Sequence, residues 1–228
     1  MINTILFDLD NTLLDFTKAE EIALARTLSE LGINPEEKVT KRYSEINLKQ
    51  WKLLEQQKIT RSELKIRRYK LLFDEFGFDC SAEKAAKVYE QFLSEGHFFM
   101  ENAEEVLTNL CEKYDMYITT NGIAKVQKGR IKSSGLKKYF KDIFISEEIG
   151  FDKPRTEYFE KCFEKIENFE KEKAVVIGDS LSSDIQGGIN AGVKTVWFNP
   201  KREENSSSIK ADYEISDLRE IENLLKSI

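Results

Sequence analysis

The chain has little histidine and little cysteine: one histidine and three cysteines among 228 residues. A zinc site of the Cys/His type needs several ligands at motif spacing, whereas Cys80, Cys111 and Cys162 lie far apart. A His-rich metal centre is therefore excluded, and the dispersed cysteines fit reduced, buried thiols better than a disulfide framework. Any chemistry is expected to use carboxylates, lysine, hydroxyl groups and a hard cation.

The chain also lacks a long apolar run and an excess of positive charge. No segment approaches the roughly 20 apolar residues that span a bilayer, and residues 1–14 have no basic start and no small-residue cleavage site. The 35 basic and 41 acidic residues leave a formal net charge of −6, which argues against a nucleic-acid binder with a basic face. We therefore expect a cytoplasmic protein with neither a membrane nor a nucleic acid as its partner.

The remaining composition is that of a folded protein, since 40% of the residues are hydrophobic. Residues 2–9 are predicted to form a short buried strand, because Ile5, Leu6 and Phe7 are consecutive and apolar. From about residue 16 to residue 95 the pattern is helical, with almost no strand signal. Thr60 and Glu63 form a capping-box signature inside this stretch.

After Gly96, helical stretches alternate with short apolar segments. The predicted helices cover residues 103–112, 124–133, 156–166 and 183–191. The predicted strands cover residues 116–119, 142–146, 173–177, 194–198 and 213–215, the last as an edge strand. This alternation predicts βαβ crossovers and a parallel sheet, with the all-helical stretch inserted after the first strand.

Polar residues follow four of the predicted strands, at the edge where open parallel sheets bind ligands. Taken alone, each group has an ordinary interpretation as a turn, a helix cap or a solvated side chain. Their joint occurrence at one edge is improbable by chance. The four segments are Asp8-Leu9-Asp10-Asn11-Thr12, Thr120-Asn121-Gly122, Lys153-Pro154, and Gly178-Asp179-Ser180 with Asp184.

The four segments together supply the groups that phosphoryl transfer requires. Their acids need a cation to offset mutual repulsion, and oxygen-only ligands indicate Mg²⁺ as the cofactor. Thr120 is followed by an Asn-Gly turn, which offers a hydroxyl and backbone N–H groups to an anionic oxygen. Lys153 adds a positive charge.

In order and spacing, these four segments resemble the four motifs of the haloacid dehalogenase superfamily. The resemblance implies an α/β fold, with a three-layer, Rossmann-like parallel-sheet core formed by residues 1–15 and 96–228. It also implies an inserted all-helical cap domain of the C1 type, formed by residues 16–95. More narrowly, residues 8–16, the stretch from 47 to 61 and Glu95-Gly96-His97 are similar to the bacterial pyrimidine 5′-nucleotidase branch.

The resemblance implies a mechanism for each motif. Asp8 would attack the phosphorus and form an aspartyl phosphate, while Asp10 would protonate the leaving oxygen and later activate water. The presence of Asp10 favours phosphate esters, because a halide leaving group needs no protonation.

The resemblance also implies two sets of binding residues. Four residues would bind the phosphoryl oxygens: Thr120, Asn121, Gly122 and Lys153. Four aspartates would hold Mg²⁺: Asp8, Asp10 through its backbone carbonyl, Asp179, and Asp184 directly or through water.

The cap is expected to close over the site and contact the leaving group of a small-molecule phosphate ester, namely a pyrimidine nucleoside 5′-monophosphate. Trp51 would stack on a base, unless it belongs to the core of the cap. His97 would either contact substrate or form a hinge where the cap returns to the core. The candidate substrate-binding residues are Phe16, Asn47, Trp51, Arg61 and His97.

Other interpretations stay open. The enzyme could act on phosphoglycolate or a sugar phosphate, or be a β-phosphoglucomutase-like phosphomutase. The chain could also be a phosphorylatable signalling domain or a silent phosphate-binding protein. Gly187, Gly188 and Gly192 do not form a dinucleotide fingerprint, because they lie within and after a predicted helix; close helix–sheet packing explains them better. A monomer or weak dimer is expected, since no sustained heptad appears.

Overall fold

The six strands of the chain pair into one parallel sheet in the computed structural model, which describes residues 1–228. The strand order is β3-β2-β1-β4-β5-β6. The prediction of a parallel sheet is confirmed, and each predicted strand is present to within three residues at either end. The strands are β1 (Thr4–Phe7), β2 (Asp115–Thr120), β3 (Asp142–Ile145), β4 (Ala174–Gly178), β5 (Lys194–Phe198) and β6 (Tyr213–Ile215).

Ten α-helices accompany the sheet, and none is long and apolar enough to cross a bilayer. Between β1 and β2 lie α1 (Phe16–Glu30), α2 (Glu37–Glu55), α3 (Arg61–Phe76), α4 (Ala82–Leu93) and α5 (Ala103–Leu110). The others are α6 (Ala124–Ser134), α7 (Ser146–Ile149), α8 (Thr156–Phe163), α9 (Gln186–Ala191) and α10 (Glu220–Ser227). A π-helical turn, Leu181–Ile185, leads into α9, and short 3₁₀ turns cover Leu136–Tyr139 and Lys171–Lys173.

Strand β1 lies between β2 and β4, because the chain first builds the sheet to one side of β1 and then crosses to the other side. Phe7 pairs with Ile118 of β2 and with Ile177 of β4. The residues that follow Phe7 are therefore placed where the strand order reverses, which is the usual ligand-binding crevice of open α/β sheets.

Side chains alternate between the two faces of the sheet, so two apolar clusters cover it and give three layers. Ile5 and Phe7 point to one face, where they pack with residues of α5 and α10. Leu6 points to the opposite face and packs with residues of α8, among them Phe159 and Phe163. The predicted three-layer α/β architecture is confirmed.

Helices α1 to α4 form a helical insertion whose apolar cluster includes Tyr43, Tyr69 and Tyr89 and extends to Ile123 and Val126 at the start of α6. Its ends follow the local signals of the sequence. The capping box at Thr60 and Glu63 is present with both reciprocal hydrogen bonds, and it begins α3.

The helix predicted from residue 156 begins there, since α8 starts at Thr156, whereas another helix start differs from the prediction. The helix predicted from residue 183 begins at Leu181 as a π-helical turn, since the Ser180 hydroxyl accepts a hydrogen bond from the backbone N–H of Ser183.

Gly188 packs as the sequence predicts, against the sheet. A Cβ atom built on it would lie 2.6 Å from Cγ2 of Thr195 and 3.4 Å from Cβ of Val176. We expect Gly188→Ala to lower the free energy of unfolding by about 1–3 kcal/mol in urea denaturation, because overpacking outweighs the gain in helix propensity. Ile189→Ala, at the exposed neighbouring position, is the control, and an unchanged stability of Gly188→Ala would contradict this packing argument.

Candidate active site

Residues that follow β1, β2 and β4 meet at one cavity of about 420 Å³. Lys153 joins them from the loop between α7 and α8. The structure thus brings together the core candidates of all four motifs, although they are far apart in the sequence. The cavity is lined by all eight of these residues: Asp8, Asp10, Thr120, Asn121, Gly122, Lys153, Asp179 and Asp184.

Lys153 is the central cation of the site, and its side chain is 1% exposed. Its ammonium group donates hydrogen bonds to Oδ1 of Asp8 at 2.7 Å, to Oδ1 of Asp184 at 2.7 Å and to the backbone carbonyl of Thr119 at 2.8 Å. An ammonium has three protons, so all of its donors are satisfied. Lys153 therefore holds the Asp8 carboxylate in a fixed orientation.

The Asn121 side chain fixes the backbone of Lys153. Its amide nitrogen donates to the Lys153 carbonyl at 2.9 Å, and its amide oxygen accepts from the Lys153 N–H at 2.8 Å. Asn121 thus links the loop after β2 to the loop that carries the lysine, which explains how two distant motifs keep one geometry.

The site is rich in negative charge, and its pKa values reflect this. Burial raises the pKa of Asp8 to about 7, with a further increase from Asp184 and an opposing effect of Lys153. Burial also raises the pKa of Asp179 well above its ordinary value, and the charge of Asp8 adds to this. Burial lowers the pKa of Lys153, but the charges of Asp184 and Asp8 outweigh it, so the pKa is higher than usual and the ammonium stays protonated.

Three carboxylates of the site have the arrangement of a divalent-cation site. One oxygen each of Asp8, Asp179 and Asp184 lies within 4.8 Å of the others. Three carboxylates face a single ammonium, and hard oxygen ligands suit Mg²⁺. These residues therefore fit a divalent cation both in charge and in donor chemistry.

Backbone contacts position Asp179 and Asp184. The Asp179 N–H donates to the Thr12 hydroxyl at 3.1 Å, and the Trp197 indole donates to the Asp179 carbonyl at 2.8 Å. A Cβ atom on Gly178 would lie 2.3 Å from Oδ2 of Asp184. Only glycine leaves room for the Asp184 carboxylate to reach Lys153.

Asp10 has partners that the sequence argument missed, Gln127 and Arg130 of α6. The Gln127 amide donates to Oδ2 of Asp10 at 2.7 Å and to the Thr120 hydroxyl at 2.8 Å. The fully buried Arg130 forms an ion pair with Oδ1 of Asp10 and donates from Nε to the Gly96 carbonyl at 2.9 Å. Their spacing of three residues, on the helix that follows the Thr-Asn-Gly turn, is the signal that could have identified them.

The helical insertion supplies the opposite wall of the cavity. Three of the five predicted substrate-binding residues line it: Phe16, Asn47 and Trp51. Trp51 is half-buried and also packs against the small apolar cluster of Leu54, Ile59 and Leu64, so both predicted interpretations describe part of its surroundings. Seven further residues of the insertion, which the sequence did not indicate, also line the cavity: Thr17, Glu20, Ser44, Leu48, Glu55, Arg68 and Leu93.

Arg61 does not line the cavity, although the sequence suggested a substrate contact. Its guanidinium donates to the Asn121 carbonyl at 2.6 Å and to the Ser146 hydroxyl at 2.7 Å, and it forms an ion pair with Asp152. Arg61 is the first residue of α3. Its side chain extends to the core, where it reaches the loops that carry the candidate phosphate-binding residues. Its observed partners are therefore protein groups.

His97 does not line the cavity either. It is exposed, its Nδ1 lies 2.7 Å from the Glu95 carbonyl, and its ring stacks on Phe98. This position, where the chain returns from the insertion to the core, fits the hinge or packing interpretation better than a substrate contact.

The geometry as a whole suits transfer of a phosphoryl group. A buried carboxylate held by an ammonium can act as a nucleophile, and a second carboxylate two residues later lines the same cavity. The Thr120 hydroxyl and the turn that follows it supply neutral donors.

Comparisons with known proteins agree with this interpretation. The family model of the haloacid dehalogenase-like hydrolases matches residues 5–198. The HAD-hydrolase YfnB of Bacillus subtilis is 40% identical over 222 residues, which cover 97% of this chain and 94% of YfnB. The pyrimidine 5′-nucleotidase PynA of Streptococcus pneumoniae is 40% identical over 230 residues, which cover 98% of this chain and 97% of PynA.

A solved structure extends the likeness to the whole fold. The crystal structure of Bacillus subtilis YfnB bound to magnesium, which reveals interdomain movement, superposes with a TM-score of 0.94 at 40% identity and covers 98% of each chain. The family resemblance predicted from the four motifs is thereby confirmed. The chain belongs to the haloacid dehalogenase-like hydrolases.

Proposed function

We propose that the protein is a Mg²⁺-dependent phosphomonoesterase that hydrolyses pyrimidine nucleoside 5′-monophosphates through an aspartyl phosphate on Asp8. The observation that carries this proposal is the buried Lys153, which holds Asp8 and Asp184 at 2.7 Å each beside Asp179. The 40% identity to a pyrimidine 5′-nucleotidase over nearly the whole chain supports the substrate class.

The reaction has two steps. In the first, an oxygen of the Asp8 carboxylate bonds to phosphorus, the bond from phosphorus to the ester oxygen breaks, and Asp10 gives a proton to the departing nucleoside. In the second, Asp10 takes a proton from water, the water oxygen bonds to phosphorus, and the bond to Asp8 breaks. Orthophosphate leaves and the Asp8 carboxylate is regenerated.

The chain's own groups prepare each step. Lys153 keeps the Asp8 oxygen oriented, while Gln127 and Arg130 hold the two oxygens of Asp10. The Thr120 hydroxyl and the N–H groups of the turn after it would donate to the phosphoryl oxygens.

The metal would be held by carboxylates of Asp8, Asp179 and Asp184, with the Asp10 backbone carbonyl as a further ligand. When bound, Mg²⁺ supplies positive charge against the phosphoryl oxygens. It also favours the ionised form of Asp8, which burial and Asp184 disfavour. In the structure Asp184 accepts from Lys153 and from the Ser180 N–H, so a role through water is as compatible with its position as direct ligation.

We also propose that residues 16–95 act as a cap over a core of residues 1–15 and 96–228. The insertion forms most of an apolar cluster to which the core contributes only Ile123 and Val126 as buried members, and it lines one wall of the cavity. Besides Arg61, the Ser182 hydroxyl connects the two parts by donating to Glu55 at 3.1 Å. Opening and closing of such a cap would admit substrate and then exclude water.

Arg61 should hold the cap against the core. We expect Arg61→Met to raise the KM about tenfold with a smaller effect on kcat. Without Arg61, part of the substrate's binding free energy would be used to close the cap, which Arg61 now stabilises in the closed position. Initial rates of phosphate release give both constants. Arg67→Met, at an exposed position of the same helix, is the control. If Arg61 acts through Asp152, the effects of Arg61→Met and Asp152→Asn will not add, whereas a wild-type KM in Arg61→Met would contradict the closure role.

The proposed function is tested by phosphate release from a panel of esters. UMP, dUMP and dTMP are compared with purine nucleotides, phosphoglycolate and glucose 1-phosphate, each with Mg²⁺ and with EDTA. We expect Mg²⁺-dependent release that is fastest with the pyrimidine nucleotides. Equal rates on all esters would overturn the nucleotidase assignment, and conversion of glucose 1-phosphate to glucose 6-phosphate would indicate a mutase.

A further inference from the structure

A line of buried polar side chains crosses the insertion wall of the cavity and belongs to three different helices. Glu20 of α1 accepts hydrogen bonds from the Asn47 amide at 2.6 Å and from the Ser44 hydroxyl at 2.7 Å. The Asn47 oxygen in turn accepts from NH1 of Arg68 at 3.0 Å. Glu20, Asn47 and Arg68 are 6%, 3% and 1% exposed, and all of them line the cavity.

The line ends in unused donors. Nε and NH2 of Arg68 are buried and have no hydrogen-bond partner. The Arg68 guanidinium lies 4.9 Å from the ring centroid of Tyr89 and 5.3 Å from that of Tyr69. These aromatic faces stabilise its charge but supply no oxygen acceptor to the two groups. Buried polar groups without partners are rare and costly, so the arrangement indicates an acceptor that arrives with a ligand.

The surroundings define the chemistry of that ligand. Glu20 and Arg68 carry opposite charges, joined through Asn47, so this wall suits a neutral polar group better than a second anion. Each carboxylate oxygen of Glu20 accepts one hydrogen bond and has a second lone pair left for another donor. Phe16, Leu48 and Trp51 line the same cavity and offer apolar surface to a flat ring.

We propose that Glu20, Asn47 and Arg68 form a base-recognition site for a 2,4-dioxopyrimidine, the ring of uracil and thymine. The free N–H groups of Arg68 donate to a ring carbonyl, and the Glu20 carboxylate accepts the ring N3–H. Asn47 hydrogen-bonds to both charged groups and fixes their positions relative to each other. This inference rests on the proposed nucleotidase function and assigns its specificity to residues that do not touch the phosphoryl group.

The test compares substrates that share the phosphate but differ in the base. For the Mg²⁺-loaded wild-type protein, kcat/KM is measured with UMP, CMP, 3-methyluridine 5′-monophosphate and ribose 5-phosphate. We expect UMP to exceed ribose 5-phosphate by about 100-fold, and to exceed CMP and the 3-methyl analogue by about tenfold each, because buried groups left unpaired penalise the wrong ligand. Equal values for UMP and ribose 5-phosphate in the wild type would overturn the inference without any variant.

The variant Arg68→Met removes the donors and keeps an unbranched side chain, and Arg67→Met at the exposed neighbouring position is its control. We expect Arg68→Met to reduce the ratio of kcat/KM for UMP to kcat/KM for ribose 5-phosphate at least tenfold, whereas Arg67→Met keeps the wild-type ratio. An unchanged ratio in folded Arg68→Met would overturn the role of Arg68. If the wild type hydrolyses none of the esters with Mg²⁺, the proposed function itself fails, which is a different result from hydrolysis without base preference.

Discussion

Replacing Asp8 by asparagine is expected to abolish phosphate release, with a loss in kcat of at least about 10⁴-fold. The amide has nearly the shape of the carboxylate but carries no negative charge, so it cannot form an acyl phosphate. The Asp8 carboxylate lies at the end of the central strand and accepts from Lys153 at 2.7 Å. Steady-state phosphate release from UMP with Mg²⁺ measures the loss.

The folded state should tolerate the Asp8→Asn change. It removes one carboxylate from a cluster in which burial and Asp184 already raise the pKa of Asp8 to about 7, so the free energy of unfolding should not fall. Asp79→Asn, at an exposed position of the insertion, is the matched control and should keep full activity. Retained phosphatase activity in folded Asp8→Asn would rule out Asp8 as the nucleophile.

Replacing Lys153 by methionine should affect both activity and stability. We expect kcat to fall about 10³-fold, because Lys153 orients the nucleophile and supplies positive charge beside the transferred group. We also expect the free energy of unfolding to fall by about 3–5 kcal/mol, since two buried carboxylates would lose their common cationic partner. Phosphate release and urea denaturation at pH 7 measure the two effects.

An exposed lysine separates these effects from a general loss of charge. Lys165→Met, in the segment after α8, should match wild type in both measurements. A Lys153→Met protein with near-wild-type kcat would show that the ammonium is not part of the reaction, even if the stability falls as expected.

The α/β core and the positions of its candidate site residues could be predicted because the signals are local and the topology rule is general. Apolar runs alternate with helical patterns, and parallel strands place their carboxyl ends at one edge. Asp8, Lys153 and Asp179 therefore meet in one cavity, as the sequence indicates. The capping box at Thr60 also marks a helix start that the structure contains.

The features that could not be predicted depend on which face of a helix packs inward. Sequence periodicity defines that face poorly. The apolar residues Ile22, Ala25 and Leu28 recur at every third position of α1, yet Ile22 is 40% exposed. The buried face of α1 follows a spacing of four residues through Ala19, Ala23 and Thr27. An every-third pattern drifts around the helix, whereas a spacing of four stays closer to one face.

Contacts between residues that are far apart in the sequence could not be predicted either. Arg130 and Gln127 look like ordinary polar residues of a surface helix until the fold places Asp10 beside them. Arg61 was expected to contact substrate, but the position of α3 brings it to Asp152 and the Asn121 carbonyl instead. The Asp10 pairs depend on the packing of α6 beside the end of β1, and the Arg61 contacts depend on the docking of the insertion on the core. Neither follows from local spacing.

Chemical trapping of the phosphorylated protein tests the proposed mechanism most directly. The wild-type protein is mixed with UMP and Mg²⁺, quenched within its first turnovers and treated with borohydride, which reduces an aspartyl phosphate to homoserine. Peptide mass spectrometry should find homoserine at position 8, and it should be absent from Asp8→Asn and from protein mixed without UMP. Turnover without homoserine at position 8, or homoserine at another aspartate, would contradict nucleophilic attack by Asp8.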